Sequence, residues 1–258
     1  MGKGDSNLSR SGCAAPTETA FNFRRAFARQ WRENVRYFGL TRNLRELAAS
    51  TWAAMLELLP SRRKSRFGDL DYDWEHSVNT TRSNVGFRKQ FVTGLTARPY
   101  FATEPWIFEQ IMQEIPVDLS GFTFIDLGSG KGRVLLMASE YPFKRIVGVE
   151  FMPKLHRAAL KNIAAFSSER QKCRQIEAVC MDARDFLFPA GPLVVYLFNP
   201  FSESTFAQVL ENLRRSVEQA PRPLYIAYRF TEFENLLAQA AWLEKVAGSE
   251  QWSVYRAR

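Results

Sequence analysis

The chain is poor in the residues on which hydrolases and metalloenzymes depend. Its 258 residues include only two histidines and three cysteines. Cys13, Cys173 and Cys180 lack the spacing of a zinc site and are too few for a disulfide framework. Neither histidine belongs to an H-x-x-x-H motif, and no nucleophile-elbow motif surrounds a serine or cysteine. The sequence therefore predicts no metal site, argues against hydrolytic chemistry and favours a reducing environment.

Long apolar runs are also lacking. No segment approaches the roughly 18 apolar residues that a transmembrane helix requires. The first residues, MGKGDSNLSRSG, lack the apolar core of a secretory signal. We therefore expect a cytoplasmic protein without a transmembrane segment, although an arginine-rich, acid-poor start leaves organellar targeting open.

Positive charge is concentrated near the N-terminus. Residues 24–66 contain eleven Lys or Arg and three Glu, so this region alone accounts for the formal net charge of +8. We predict disorder for residues 1–23, a basic helical extension for 24–66, and a linker or substrate-side lid for 67–97. Residues 98–258 are predicted to form the main domain.

The spacing of charges in the basic extension is typical of an amphipathic helix. One face carries four arginines at intervals of four, three and four residues, and an aromatic-rich stripe lies roughly opposite. Such a helix can dock onto an anionic partner: nucleic acid, a membrane surface or an acidic protein. Alternatively, its apolar face packs on the main domain and its basic face stays in solvent. The arginines are Arg25, Arg29, Arg32 and Arg36, and the stripe is Phe27, Trp31, Val35 and Phe38.

Strand-like and helix-like segments alternate through the main domain. The chain closes with two strand-like runs around Gly248-Ser249, a hairpin signal. This order predicts an α/β fold with a doubly wound, mostly parallel sheet and a C-terminal antiparallel hairpin. The predicted parallel strands lie at 122–127, 145–150, 175–182, 193–200 and 223–230.

A glycine-rich turn, DLGSGKGR, follows the first of these strands. Asp126 ends the strand, and Gly128, Gly130 and Gly132 follow at alternate positions. The turn lacks the first glycine and the Ser/Thr of a Walker A loop. The third glycine of a dinucleotide fingerprint would fall at position 133, which is arginine. The spacing thus argues against a nicotinamide or flavin cofactor without excluding one.

The pattern D-x-G-x-G-x-G resembles the first motif of the class I, seven-stranded S-adenosylmethionine-dependent methyltransferases. This resemblance covers residues 98–258 and implies a Rossmann-like fold with S-adenosylmethionine as cofactor. It implies that Asp126 contacts the methionine amino group and that Glu150, at the end of the second strand, takes the ribose hydroxyls. Asp182 and Met181 are implied to contact the adenine, with Asp185 as the alternative acid. The implied loop contacts are Gly128, Ser129, Gly130 and Gly132.

Asn199-Pro200-Phe201, after the fourth strand, resembles the (D/N)-P-P-(Y/F) motif of the amino-methylating members. In that motif the Asn and the following carbonyl accept hydrogen bonds from the substrate nitrogen, and the aromatic ring stacks on the target. The resemblance implies these three residues as catalytic. One proline instead of two leaves the substrate type open, and a plain Asn-Pro turn is the alternative.

The sequences DLGSG and GVE, with the Asn-bearing fourth strand, are most similar to the non-SET histone-lysine and related protein-lysine methyltransferases. The resemblance implies that Thr103 and Glu104 contact the cofactor; alternatively they cap a helix that begins near Pro105. We therefore predict methyl transfer to an acceptor nitrogen, foremost a protein lysine. A small-molecule or nucleic-acid amine, or a catalytically silent cofactor-binding protein, are the alternatives.

Overall fold

The structure, a computed structural model, describes residues 40–41, 70–81 and 102–258. The predicted basic extension therefore lies outside the described residues, except for Leu40 and Thr41, which are α-helical. No helix within the described ranges is long and apolar enough to cross a membrane.

Seven strands form one sheet in the order β3-β2-β1-β4-β5-β7-β6. The first five strands pair in parallel, and β7 pairs antiparallel with both β5 and β6. The strands are β1 (Thr123–Leu127), β2 (Arg145–Glu150), β3 (Ile176–Cys180), β4 (Leu193–Phe198), β5 (Leu224–Arg229), β6 (Leu243–Gly248) and β7 (Trp252–Ala257). The predicted Rossmann-like sheet with a C-terminal hairpin is confirmed.

Helices cover both faces of the sheet, because the central strands are apolar on both sides and each side must be buried. Every residue of β1 and β5 is buried, and two separate clusters of buried apolar side chains lie on either side of the sheet. The described α-helices are α1 (Leu70–Glu75), α2 (Pro105–Gln113), α3 (Arg133–Ala138), α4 (Pro153–Ala165), α5 (Glu203–Gln219) and α6 (Glu234–Ala238).

The order in which the chain adds strands to the sheet changes direction at β1. From β1 it moves outward to β2 and β3, and then returns across to β4 on the other side of β1. In an open α/β sheet this switch point leaves a crevice at the carboxyl ends of the strands, where ligands bind. The residues that follow β1 and β4 therefore border the crevice where a ligand is expected.

Candidate cofactor and acceptor site

The predicted site residues are brought together at one edge of the sheet. Asp126 pairs with Tyr196 in the β1–β4 register, and Glu150 pairs with Cys180 in the β2–β3 register. Because the four strands are parallel, the residues that follow them emerge on the same side. Asp126, Glu150, Asp182 and Asn199 thus border one crevice.

The glycine loop closes tightly onto the end of β2. The backbone N–H groups of Gly128 and Ser129 both donate to the carbonyl of Val149, at 2.8 and 3.0 Å. Gly128, Gly130 and Gly132 have φ values of +84°, +55° and +86°, a region that side-chain-bearing residues adopt at a cost. The alternate glycines seen in the sequence are therefore required by the backbone of the loop.

Glu150 is buried and is bound by the loop itself. Its Oε2 accepts from the Gly130 N–H at 2.8 Å, and its Oε1 accepts from the Met152 N–H at 2.8 Å. Burial raises the pKa of Glu150, whereas the backbone N–H groups of Met152, Gly130 and Phe151 lower it. Glu150 therefore fixes the shape of the loop as well as presenting a carboxylate to the crevice.

Asp126 is a second buried carboxyl beside the first. Its pKa is raised well above the ordinary 3.8, first by burial and then by the negative charge of Glu150. In the same loop, Ser129 Oγ is buried and has no hydrogen-bond partner among the residues that the structure describes. The two buried acids fit a ligand that carries a positive charge.

Asp182 lies at the third strand end but is engaged by its own neighbour. It caps a short 3-10 helix, Ala183–Asp185, by accepting from the Arg184 N–H at 2.9 Å, and Arg184 Nη2 donates to its Oδ2 at 2.6 Å. These bonds to Arg184 lower the pKa of Asp182 despite partial burial. Met181 is half-buried, and its N–H donates to the Glu150 carbonyl at 3.1 Å.

Thr103 and Glu104 precede α2 at the other side of the crevice. Glu104 holds the N-cap position, but its side chain makes no capping bond there. Its Oε2 instead lies 3.5 Å from Nη2 of Arg229, a buried residue at the end of β5. Thr103 is buried, and its Oγ1 lies 2.9 Å from the Tyr196 hydroxyl. Both side chains therefore tie the start of α2 to the sheet.

Asn199 is buried directly after β4 and has a φ of +40°. Its Oδ1 accepts from the Tyr228 hydroxyl at 3.0 Å, and its Nδ2 donates to Glu232 Oε2 at 2.8 Å. Pro200 is half-buried against the glycine loop, and Phe201 packs against the apolar cluster on its side of the sheet. The tripeptide is thus at the predicted place, with its amide held by two residues of the β5 region.

Residues 72–81 fold onto the back of the glycine loop. Lys131 Nζ donates to Asn79 Oδ1 at 2.7 Å, and Arg133 Nε donates to Thr80 Oγ1 at 2.6 Å. Arg133, which is almost fully buried, also pairs with Asp73 at 3.2 Å. Part of the predicted linker or lid is therefore a support that lies against Lys131 of the loop and Arg133 at the start of α3.

Sequence reasoning missed this support and the whole β5 end of the site. Tyr228, Arg229 and Glu232 were not singled out, although β5 neighbours β4 and ends at the same edge. The available signal was the position of Glu232, two residues after the predicted parallel strand at 223–230. For residues 72–81 the sequence holds no comparable signal, because their partners lie more than fifty residues away.

One protein-family model matches part of the chain. Residues 89–182 match the family described as histone methylation protein DOT1, which is about a third of the chain. The match spans the start of α2, the glycine loop, Glu150 and Asp182, and it stops before Asn199. The match therefore covers the side of the crevice where the sequence predicts the cofactor contacts. A comparison with curated protein sequences returns no significant match.

Solved structures of similar shape include methyltransferases with different substrates. An RNA methyltransferase from Salinibacter ruber in complex with S-adenosyl-L-homocysteine is 22% identical, with 60% of this chain and 92% of that chain covered and a TM-score of 0.41. Magnesium protoporphyrin IX methyltransferase from Synechocystis PCC 6803, with bound SAM, is 12% identical over 68% and 85% of the two chains, with a TM-score of 0.41. A protein from Pyrococcus horikoshii OT3 is 16% identical over 58% and 87%, with a TM-score of 0.43. These values are too low to bear on substrate.

Two structural features of the described residues bear on the activity: the strand order of the sheet and the glycine loop after β1. The family match covers that loop and the acid that binds it. Sheet order, glycine loop and family match therefore agree on a methyltransferase domain that uses S-adenosylmethionine.

Proposed function

We propose that the protein transfers a methyl group from S-adenosylmethionine to an acceptor nitrogen, and that the acceptor is a lysine side chain of a protein. The observation that carries the cofactor assignment is the closure of the glycine loop on Glu150, with Asp126 buried beside it. A loop of this shape brings two carboxyls to one ligand site without using a lysine or arginine for phosphate. The acceptor assignment is supported by the Asn199-Pro200-Phe201 resemblance.

The residues present fit S-adenosylmethionine, which supplies a methyl group activated by a positively charged sulfur. Asp126 would pair with the amino group of the methionine part, and this ion pair would stabilise a carboxylate that burial otherwise disfavours. Glu150 would accept from the ribose hydroxyls with the lone pairs that Gly130 and Met152 do not use.

The residues of this chain position the acceptor and the cofactor; they do not act as a general acid or base. Methyl transfer from a sulfonium is an in-line displacement, so the acceptor nitrogen must be neutral and aimed along the axis of the breaking bond. Asn199 lies next to the loop through Pro200, so the acceptor and cofactor subsites share one wall. Exclusion of water from this crevice favours the neutral form of an amine.

The test is transfer of radiolabelled methyl groups from S-adenosylmethionine into an extract of the source cells. Label that is lost on protease treatment and recovered as methyl-lysine after acid hydrolysis supports the proposal. Label that is lost on nuclease treatment, or that stays in the small-molecule fraction, overturns the lysine assignment. Cofactor binding without transfer to any fraction would indicate the catalytically silent alternative.

A further inference from the structure

The side chain of Asn162, on α4, contacts the glycine loop. It is a buried polar residue, with 5% of its surface exposed. Its Nδ2 donates to the carbonyl of Lys131 at 2.9 Å. About one turn earlier on α4, Ala159 lies so close to Gly132 that a β-carbon on that glycine would be 3.3 Å from the Ala159 Cβ. The helix α4 therefore holds the loop at the peptide bond between Lys131 and Gly132.

The same amide also binds the support formed by residues 72–81. Asn162 Oδ1 accepts from the Asn79 N–H at 3.0 Å, and Asn162 Nδ2 donates to the Asn79 carbonyl at 3.2 Å. The amide thus makes three hydrogen bonds to backbone groups. The side chain of Asn79 in turn accepts from Lys131 Nζ at 2.7 Å. Lys131 is therefore bound at its carbonyl by Asn162 and at its ammonium by Asn79, and these bonds join α4, the loop and the support.

These bonds restrict a loop whose own residues leave it conformationally free. Glycine has the widest choice of backbone conformations, and three of the five residues 128–132 are glycines. Because a peptide unit is planar, the bond to the Lys131 carbonyl also sets the direction of the Gly132 N–H, which donates to the Ser129 carbonyl at 2.8 Å. The bond from Asn162 therefore favours one conformation of the turn.

We propose that Asn162 is a positioning residue for S-adenosylmethionine, because it orders the glycine loop before the cofactor binds. The loop holds Glu150 through the Gly130 N–H, so an ordered loop presents this carboxylate in one place. This inference rests on the proposed contact between Glu150 and the cofactor and is independent of the methyl acceptor. Ordering a loop at the moment of binding lowers affinity, whereas a preorganised loop avoids that loss. Asn162 acts from behind this contact, since its amide is engaged by Lys131 and Asn79.

The experiment uses the full-length protein and the variant Asn162→Asp. This change keeps the size of the side chain and an oxygen for the Asn79 N–H, but it removes the N–H groups that bind the carbonyls of Lys131 and Asn79. Val209→Ala is the control, because Val209 is a buried residue of α5 in the apolar cluster on the other face of the sheet. Calorimetry measures affinity for S-adenosyl-L-homocysteine, and NMR measures exchange of the Gly132 amide proton without ligand. Both are done at a temperature where circular dichroism shows each protein to be folded.

We expect Asn162→Asp to weaken binding about fivefold or more, as the net loss of one hydrogen bond predicts, and to speed exchange of the Gly132 amide by a similar factor. Val209→Ala should lower the melting temperature through the cavity that it creates, and it should change neither of the other quantities by more than about twofold. A folded Asn162→Asp variant with unchanged affinity or unchanged exchange overturns the inference. An equal loss of affinity in Val209→Ala also overturns it, because the effect would then follow from stability alone.

A measurement on the wild-type protein does not depend on the folding of any variant. Because cofactor binding and the order of the loop are coupled, S-adenosyl-L-homocysteine should slow exchange of the Asn162 side-chain amide protons. The side-chain amide protons of Asn235, exposed on α6, are the internal control and should exchange at the same rate with and without ligand. Unchanged exchange at Asn162 overturns the inference even where the ligand binds. Failure of wild type to bind S-adenosyl-L-homocysteine instead overturns the proposed function itself.

Discussion

A β-carbon placed on Gly128 would lie 2.4 Å from the Cβ of Pro200. The first glycine of the cofactor loop therefore packs directly on the proline of the predicted acceptor motif. Since β1 and β4 are paired in one sheet, this contact couples the proposed cofactor subsite to the proposed acceptor subsite. A substitution at either residue should affect both.

Gly128→Ala should lower the free energy of unfolding by at least about 2 kcal/mol, because it adds both a clash with Pro200 and a left-handed alanine. Urea unfolding measures this change, and calorimetry should show weaker binding of S-adenosyl-L-homocysteine. Gly191→Ala is the control, since its added carbon would meet no atom within 4 Å; a change within about 0.5 kcal/mol is expected there. Equal stability of the two variants would contradict the close contact.

Glu150→Gln should weaken cofactor binding by about 1.5–3 kcal/mol, the range for hydrogen bonds to charged groups. The variant also turns an NH₂ group toward the N–H of either Gly130 or Met152, which both donate to the native carboxylate. Calorimetry with S-adenosyl-L-homocysteine measures the loss. Glu177→Gln, an exposed residue of β3 that pairs with Arg145, should bind normally. Unchanged affinity in Glu150→Gln would rule out the assigned ribose contact.

Cofactor affinity should rise with pH on the acid side of neutrality. Burial and Glu150 raise the pKa of Asp126 in the free protein, and pairing with the ligand's amino group would lower it, so binding releases a proton. Cofactor affinity is expected to rise with pH from 3.8, the ordinary pKa of an aspartate, up to about pH 7. Above that pH the amino group of the ligand itself begins to deprotonate. Calorimetry in buffers of different ionisation enthalpy measures the released proton. In Asp126→Asn the cofactor affinity should depend less on pH, and the remaining dependence should come from Glu150. An unaltered pH dependence would refute the role of Asp126.

Asn199→Ala should lower kcat by about a hundredfold while affinity for the cofactor changes little, because its two side-chain bonds reach Glu232 and Tyr228 and not the glycine loop. Steady-state kinetics on the labelled acceptor, together with calorimetry, separate the two effects. Asn235→Ala, on the exposed side of α6, should leave both unchanged. Parallel loss of affinity and turnover would show that Asn199 has only a structural role.

Asp73→Ala should cost about 3 kcal/mol of stability, since it leaves the buried guanidinium of Arg133 without its carboxylate. Burial alone would raise the pKa of Asp73, but hydrogen bonds from Thr80 and Thr81 hold it below 3.8. Its folded pKa is thus depressed, so its contribution is present above the unfolded pKa and is lost as pH falls below about 3.8. Urea unfolding at neutral pH should show the deficit, which should shrink in strong acid. Glu75→Ala, exposed on the same helix, should change stability by less than about 0.5 kcal/mol.

The alternation of apolar strands and amphipathic helices determined the sheet, because burial on both faces requires continuous apolar strands of this length. The strand Arg145–Glu150 has the predicted bounds. The D-x-G-x-G-x-G spacing likewise predicted the loop, since three left-handed positions can be read directly from three glycines. Local chemistry sufficed for these features.

Only the tertiary structure decided which partners the polar residues take. The insertion of β7 between β5 and β6, the support of Lys131 and Arg133 by residues 72–81, and the contact of Glu232 with Asn199 all join distant parts of the chain. Periodicity reports which face of an element is buried, but it carries no information about which buried polar group meets another. These pairings follow from the order of strands in the sheet and from the need to satisfy each buried donor and charge.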